Sequence, residues 1–135
     1  MHFPAGDQED LTAVWLWSEH AGVFSHQTAL ALHDLSDVLP SRVHLTLPVS
    51  WESRRMSVPD GVVLHYGDIP ESGRRWFGPV PATAPLRTLE DCAVNHLPPE
   101  LLRGAAQDAL DRGLVTHDEI AAIEEALEPF GGLEP

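Results

Sequence analysis

The sequence predicts an α+β domain, a small mixed or antiparallel sheet covered by about five helices, and three observations carry that prediction. First, within residues 24–48 the apolar period changes from about 3.6 to 2. Ala29, Leu30, Leu32 and Leu35 recur at helical spacing behind Ser25, placed to cap the helix with its hydroxyl, while Val43, Leu45 and Leu47 alternate with Arg42, His44 and Thr46. Second, residues 62–66 repeat the alternation. Third, residues 85–127 are helical in pattern, with turn and capping residues between the segments.

In order along the chain, residues 7–18 read as the first helix, with Asp7, Glu9 and Asp10 at the favourable end of its dipole. Trp15 and Trp17 point to different faces of it. Residues 19–22 form a turn, and the central helix follows. Ser36, Asp37 and Pro40 are turn residues before the first strand, which Pro48 stops because it cannot donate to a ladder. Residues 49–61 read as a loop or widened hairpin closed by Pro59-Asp60-Gly61, so that residues 62–66 are expected antiparallel to the first strand. Residues 67–78 read as a loop and 79–82 as a short third strand. Thr83 is placed to cap a helix with Pro85 in its first turn and Leu86, Leu89 and Ala93 inward. Pro98 and Pro99 open the next helix, which Gly113 ends; Thr116 with Glu119 makes a capping box for the last, facing inward with Ile120, Ile123 and Leu127. Residues 1–6 are left as an N-terminal remnant, 7–127 as a single domain and 128–135 as a flexible tail. Leu30, Leu45, Leu64, Leu89 and Ile123 are expected to share one core.

Composition sets limits on function. The chain of 135 residues carries 21 acidic side chains against 8 basic ones, all arginine, for a formal charge of −13. Such a field repels a polyanion, so DNA binding with useful affinity is not expected. No apolar run approaches the roughly 20 residues of a membrane span, and no leader pattern opens the chain, so the sequence reads as cytoplasmic. The lone Cys92 excludes an internal disulfide and any cysteine-rich zinc site, and reads as a small core hydrophobe.

Three blocks carry a family resemblance. Ser25-His26-x-x-Ala29-Leu30-x-Leu32-His33, followed by the strand Val43-His44-Leu45-Thr46-Leu47-Pro48, resembles the core of the AbiEi family, the antitoxin and transcriptional-regulator half of a bacterial toxin–antitoxin pair. Residues 80–93, VPATAPLRTLEDCA, are similar to that family's valine-centred strand and helix start, with Asp91 four residues after Arg87. Residues 108–115, DALDRGLV, resemble a third block. The resemblance spans roughly residues 14–127. It implies a bacterial phage-defence role by abortive infection: an acidic effector domain that counters a nucleotidyltransferase toxin, with that toxin or its target as partner. Family members usually carry an N-terminal winged helix-turn-helix, and only MHFPAG precedes the first helix here, so contact with DNA is expected only through a module missing from this sequence.

Chemistry is sparse in the sequence. With no lysine there is no Asp/Glu-x-Lys nuclease motif after Pro59-Asp60, and neither a nucleotidyltransferase Asp-x-Asp pair nor a phosphate loop is present. A degenerate restriction-nuclease-like enzyme and a generic protein-binding module remain as alternatives to the antitoxin. No catalytic residue, cofactor, metal or small-molecule substrate is expected. His26 and His33 stand two turns apart on one helix and do not form one site. His44 and His65 fall on one sheet face and are expected to be close. They read as hydrogen-bonding histidines, with metal binding, proton transfer and partner contact as the other possibilities, and two imidazoles fall short of a structural zinc set. Ser25 and His26, adjacent at a helix start, are not expected to face one another. The candidate polar face is therefore Arg42, His44, His65, Arg87 and Asp91, the last two paired one turn apart. Trp17, Arg54 and Arg55 are candidates for interaction.

Overall fold

The computed structural model describes residues 5–35 and 42–132. Their elements run α1 (Ala5–Trp17), β1 (Val23–Phe24), α2 (His26–Leu32), β2 (Val43–Leu47), β3 (Val62–Tyr66), β4 (Arg74–Phe77), β5 (Val80–Thr83), α3 (Pro85–Val94), α4 (Pro99–Asp111) and α5 (Ala121–Leu127). The five strands form one mixed sheet in the order β3-β2-β1-β5-β4. The expected α+β architecture is what the chain adopts. The turn residues Ser36, Asp37 and Pro40 lie outside the described residues.

Two strands escaped the sequence reading. β1 is a two-residue strand at the centre of the sheet, antiparallel to β2 and parallel to β5. β4 lies in the last third of the expected loop and pairs antiparallel with β5, Trp76 opposite Pro81 and Phe77 opposite Val80. The orientation of β3 is a correction: it runs parallel to β2, with Leu45 opposite Leu64 and Thr46 opposite His65. Residues 48–61 are long enough for the crossover that a parallel pair requires, and Pro59-Asp60-Gly61 merely turns the chain into β3.

Alternation on β2 sends Leu45 and Leu47 to one side, where Leu11 of α1 joins them with Phe24, Val80 and Ala82. His44 and Thr46 go to the other side, toward α2. Both are buried, so β2 is covered on both faces, although its alternation alone reads as a half-buried strand. The core is divided accordingly. Leu30, Leu89 and Ile123 share a second cluster with Leu102, Ala105, Ile120 and Leu127, built between the helices, whereas Leu45 belongs to the sheet cluster and Leu64 is only partly buried against it. The single shared core expected from the sequence is therefore two.

Several helix ends match their sequence signals. Thr116 and Glu119 form the expected reciprocal bonds, each backbone N–H to the other's side chain at 2.9 and 3.1 Å, but around the turn of residues 117–120, and α5 itself starts later, at Ala121, behind Ile120, which makes no side-chain cap. Gly113 follows α4 in the left-handed conformation expected of it, at φ +72°. Two expected caps are replaced. Thr83 is the last residue of β5 and Ala84 takes the cap position of α3, while the Thr83 hydroxyl is engaged with Thr88 at 2.6 Å. Ser25 holds the cap position of α2 but makes no capping bond, because its hydroxyl is used elsewhere. The tail is also held further than expected: residues 128–130 form a turn of 3₁₀ helix, and Arg103 donates to the carbonyls of Phe130 and Gly132.

Candidate functional site

The site begins with an unusual backbone position. His26, the first residue of α2, has φ +53°, in the left-handed region that costs a non-glycine residue energy and tends to persist where the surroundings demand it. This turn brings the imidazole onto the polar side of β2 and β3. Its ring stacks on His65 with centroids 3.7 Å apart and lies 5.8 Å from that of His44. His44 and His65 are close, as expected: Nδ1 of one and Nε2 of the other are 2.9 Å apart, with the rings within 15° of parallel and centroids 5.2 Å apart. That centroid spacing is what two imidazoles joined end to end by one in-plane hydrogen bond require, so one of the two nitrogens carries the proton.

Hydroxyl groups extend the cluster inward. Thr46 Oγ1 donates to Ser25 Oγ at 2.7 Å, and Ser25 Oγ is 2.8 Å from His26 Nδ1. With one hydrogen bond already accepted, the Ser25 hydroxyl is set to donate to Nδ1 of a neutral His26. Ser25 and His26 thus do face one another, which corrects the expectation from helix geometry: that expectation assumed right-handed dihedrals at His26. Thr28 accepts from the backbone N–H of His44 at 2.8 Å and secures α2 to the strand. On the outer side, Arg87 Nε donates to Asp91 Oδ1 at 2.9 Å, the pair foreseen one turn apart. Asp91 Oδ2 is buried without a hydrogen-bond partner.

Burial governs the protonation states. It lowers His26 to about 3, aided by the positive fields of His65, His44 and Arg87. Burial likewise lowers His44 to about 4, helped by His65 and Arg42. His65 is lowered by burial against the opposing pull of the Asp91 carboxylate, and Asp91 is raised by burial against the stabilising contact of Arg87. Three neutral imidazoles therefore stand together at neutral pH. Their nearest ring nitrogens all lie within 4.8 Å of one another. His26 thus adds a third imidazole to the two that alone fall short of a metal set.

The other candidates are placed as follows. Arg42 is exposed at the start of β2 and acts on His44 only through its charge. His33 is apart from the trio, its Nε2–H donating to the Thr83 carbonyl at 2.7 Å, so the separation of His26 and His33 holds. Cys92 is buried and its thiol is pushed up to about 12, as a core residue should be. Trp17, Arg54 and Arg55 come together with Trp51 and Met56 around a shallow groove of about 380 Å³. Arg54 lies over the Trp51 ring at 3.9 Å and pairs loosely with Glu19 at 3.9 Å. A second cleft, of about 370 Å³, opens beside the cluster and is lined by Thr46, Gly67, Asp68, Ile69 and Arg74 among others. Ser25, His26 and Thr46 are the members that the sequence candidates did not include; the sequence signal for them was that they sit in the same block as His44. No helix among the described residues is long and apolar enough to cross a membrane.

Comparison with protein-family models and with curated proteins yields no match to this chain.

Proposed function

We propose that the chain is an AbiEi-like antitoxin effector domain and that the cluster around His26, His44 and His65 is its working site. One observation carries the reading: polar residues of blocks far apart in sequence meet in one place. Ser25, His26, His44 and Thr46 come from the first block, and His65 joins them from β3. Arg87 and Asp91 come from the second block; their charges are felt at His26 and His65, and Arg87 Nη2 reaches beside Gly67 at the end of β3. The third block closes on the first, with Arg112 donating to the His33 carbonyl at 3.0 Å. Polar groups are expensive to bury without partners, and a core that needed only stability is more simply filled with apolar side chains. Their convergence supports a site rather than a scaffold.

The domain acts without catalysis of its own in this reading. Ser25 has 0% exposure, so the one hydroxyl aligned with an imidazole is out of reach of a substrate. His65, Arg87 and Asp91 form the accessible rim through which a partner or its target is met. A protein-binding module is the second reading, supported by the groove of Trp17, Trp51, Arg54 and Arg55, since aromatic and arginine side chains anchor interfaces. The test is co-expression with the product of the adjacent gene. The antitoxin reading predicts that the neighbour is a nucleotidyltransferase-like protein that arrests growth alone and not when this chain is present. An unrelated neighbour, or arrest undiminished by the chain, contradicts it.

A further inference from the structure

We propose that His26, His44 and His65 form a binding site for one divalent transition-metal ion of the zinc class. The three imidazoles come from three separate segments, the start of α2 and the strands β2 and β3, and their ligating nitrogens lie within 4.8 Å of one another. Three points no more than that distance apart always have a centre within about 2.8 Å of each (4.8 Å divided by √3), against about 2.0–2.1 Å for a zinc–imidazole bond. Closing that gap takes shifts of under an ångström at the nitrogens. Two ligands on a tetrahedral ion stand about 3.4 Å apart, so the 2.9 Å contact of His44 with His65 opens by about half an ångström as the proton between them moves to the donor ring's other nitrogen and both facing nitrogens become free to ligate. His26, stacked on His65 with centroids 3.7 Å apart, has to turn its ring so that a nitrogen faces the ion.

Two further features fit an ion. Ligating imidazoles characteristically hold their second nitrogen in a hydrogen bond, and Ser25 Oγ stands 2.8 Å from Nδ1 of His26: when Nε2 ligates, the ring proton sits on Nδ1 and the bond reverses, Nδ1–H donating to Ser25 Oγ. Asp91 Oδ2, buried and without a hydrogen-bond partner, lies on an aspartate whose charge is felt at His65, where it would offset the ion's positive charge. Arg87, paired with the same aspartate, acts against the ion, as does Arg42 near His44. Three neutral nitrogen donors suit zinc, nickel, copper or cobalt and not magnesium or calcium, which prefer oxygen. His65, only partly buried on the edge strand β3, is the side from which an ion enters, and the fourth position falls to water. A bound ion would tie the start of α2 to β2 and β3.

This inference stands apart from the antitoxin reading, because wild-type protein can bind metal whether or not it neutralises any toxin. Chelator-stripped protein is titrated with zinc and, separately, with cobalt, at neutral pH. The site predicts one ion per chain, a rise in melting temperature of about 5 °C or more, and cobalt absorption bands of tetrahedral intensity. His65→Ala and His44→Ala each abolish the bands and the rise, whereas His117→Ala, at an exposed position, leaves both. Where a variant fails to fold, imidazole nitrogen shifts in wild-type protein on zinc addition identify the ligands directly. Absence of stoichiometric binding by wild-type protein overturns the proposal, as does binding that survives both substitutions or shifts confined to other histidines.

Discussion

Lowering the pH from about 7.5 to 5 should cost the folded state about 4 kcal/mol, and the cost comes from His26 and His44. In the unfolded chain each titrates near 6.5, whereas in the fold burial holds them at about 3 and about 4. A folded pKa below the unfolded one means that the unfolded state binds more protons as the pH falls. Stability is therefore full above about pH 6.5 and is lost on acidification, until the folded groups themselves protonate. At pH 5 each unfolded imidazole is some 30-fold more protonated than neutral while its folded counterpart remains mostly neutral, which is about 2 kcal/mol per group. His65, also lowered by burial, adds in the same direction, and Asp91, raised by burial, opposes. Set against a typical domain stability of about 5–15 kcal/mol, such a loss is easily seen. Urea unfolding in the presence of EDTA, followed by circular dichroism at several pH values, measures it. A His26→Gln variant should flatten the dependence by about half. Wild-type stability that stays level between pH 7.5 and 5 would refute the burial of neutral imidazoles.

Leu89→Ala should destabilise the protein by about 2–5 kcal/mol, because Leu89 is fully buried where α3 meets the other helices; a melt unchanged within a degree would contradict that packing. Cys92 should resist a thiol reagent at pH 8 in native protein and react fully in denaturant, given its burial and a thiol pushed up to about 12. Rapid labelling of native protein would show that α3 opens readily. The chain should not bind duplex DNA at micromolar concentration in about 0.15 M salt, since 21 acids oppose 8 arginines. Among those arginines, Arg54 lies over Trp51, and Arg74 and Arg75 bond carbonyls at the β4 edge. Saturable, salt-sensitive binding in fluorescence anisotropy would mean that the arginines act as one patch.

Local order was legible in this sequence and non-local order was not. The helices α3 and α4 announced themselves through proline and glycine, and the Thr116–Glu119 capping box marked the turn that leads into α5, all of which act within a few residues. β2 and β3 were visible as alternation. Their parallel pairing was not, because it depends on β1, two residues long and carrying no period at all, which takes the antiparallel place beside β2. β4 was hidden because Arg74-Arg75-Trp76-Phe77 at a sheet edge has only weak alternation and glycines on both sides. At the site, the Arg87–Asp91 pair and the nearness of His44 to His65 followed from spacing on one helix and one sheet face. His26 did not, since a single left-handed residue redirects its ring, and sequence periodicity assumes regular dihedrals throughout. Ser25 was read as a cap for the same reason. Its hydroxyl had a choice of partners, and Thr46 and His26 took it from the helix end.

Growth of cells carrying the adjacent gene product, with and without this chain, tests the central claim most directly when the polar rim is varied. Arg87→Ala and His65→Ala alter partly exposed side chains, so both variants should remain folded and present at wild-type levels. Wild-type chain is predicted to restore growth, and each variant to restore it at least tenfold less well, while Glu125→Ala, on the exposed outer side of α5, rescues fully. Rescue by folded Arg87→Ala and His65→Ala equal to that of wild type would contradict the account, because the residues that the fold gathers would then have no part in what the domain does.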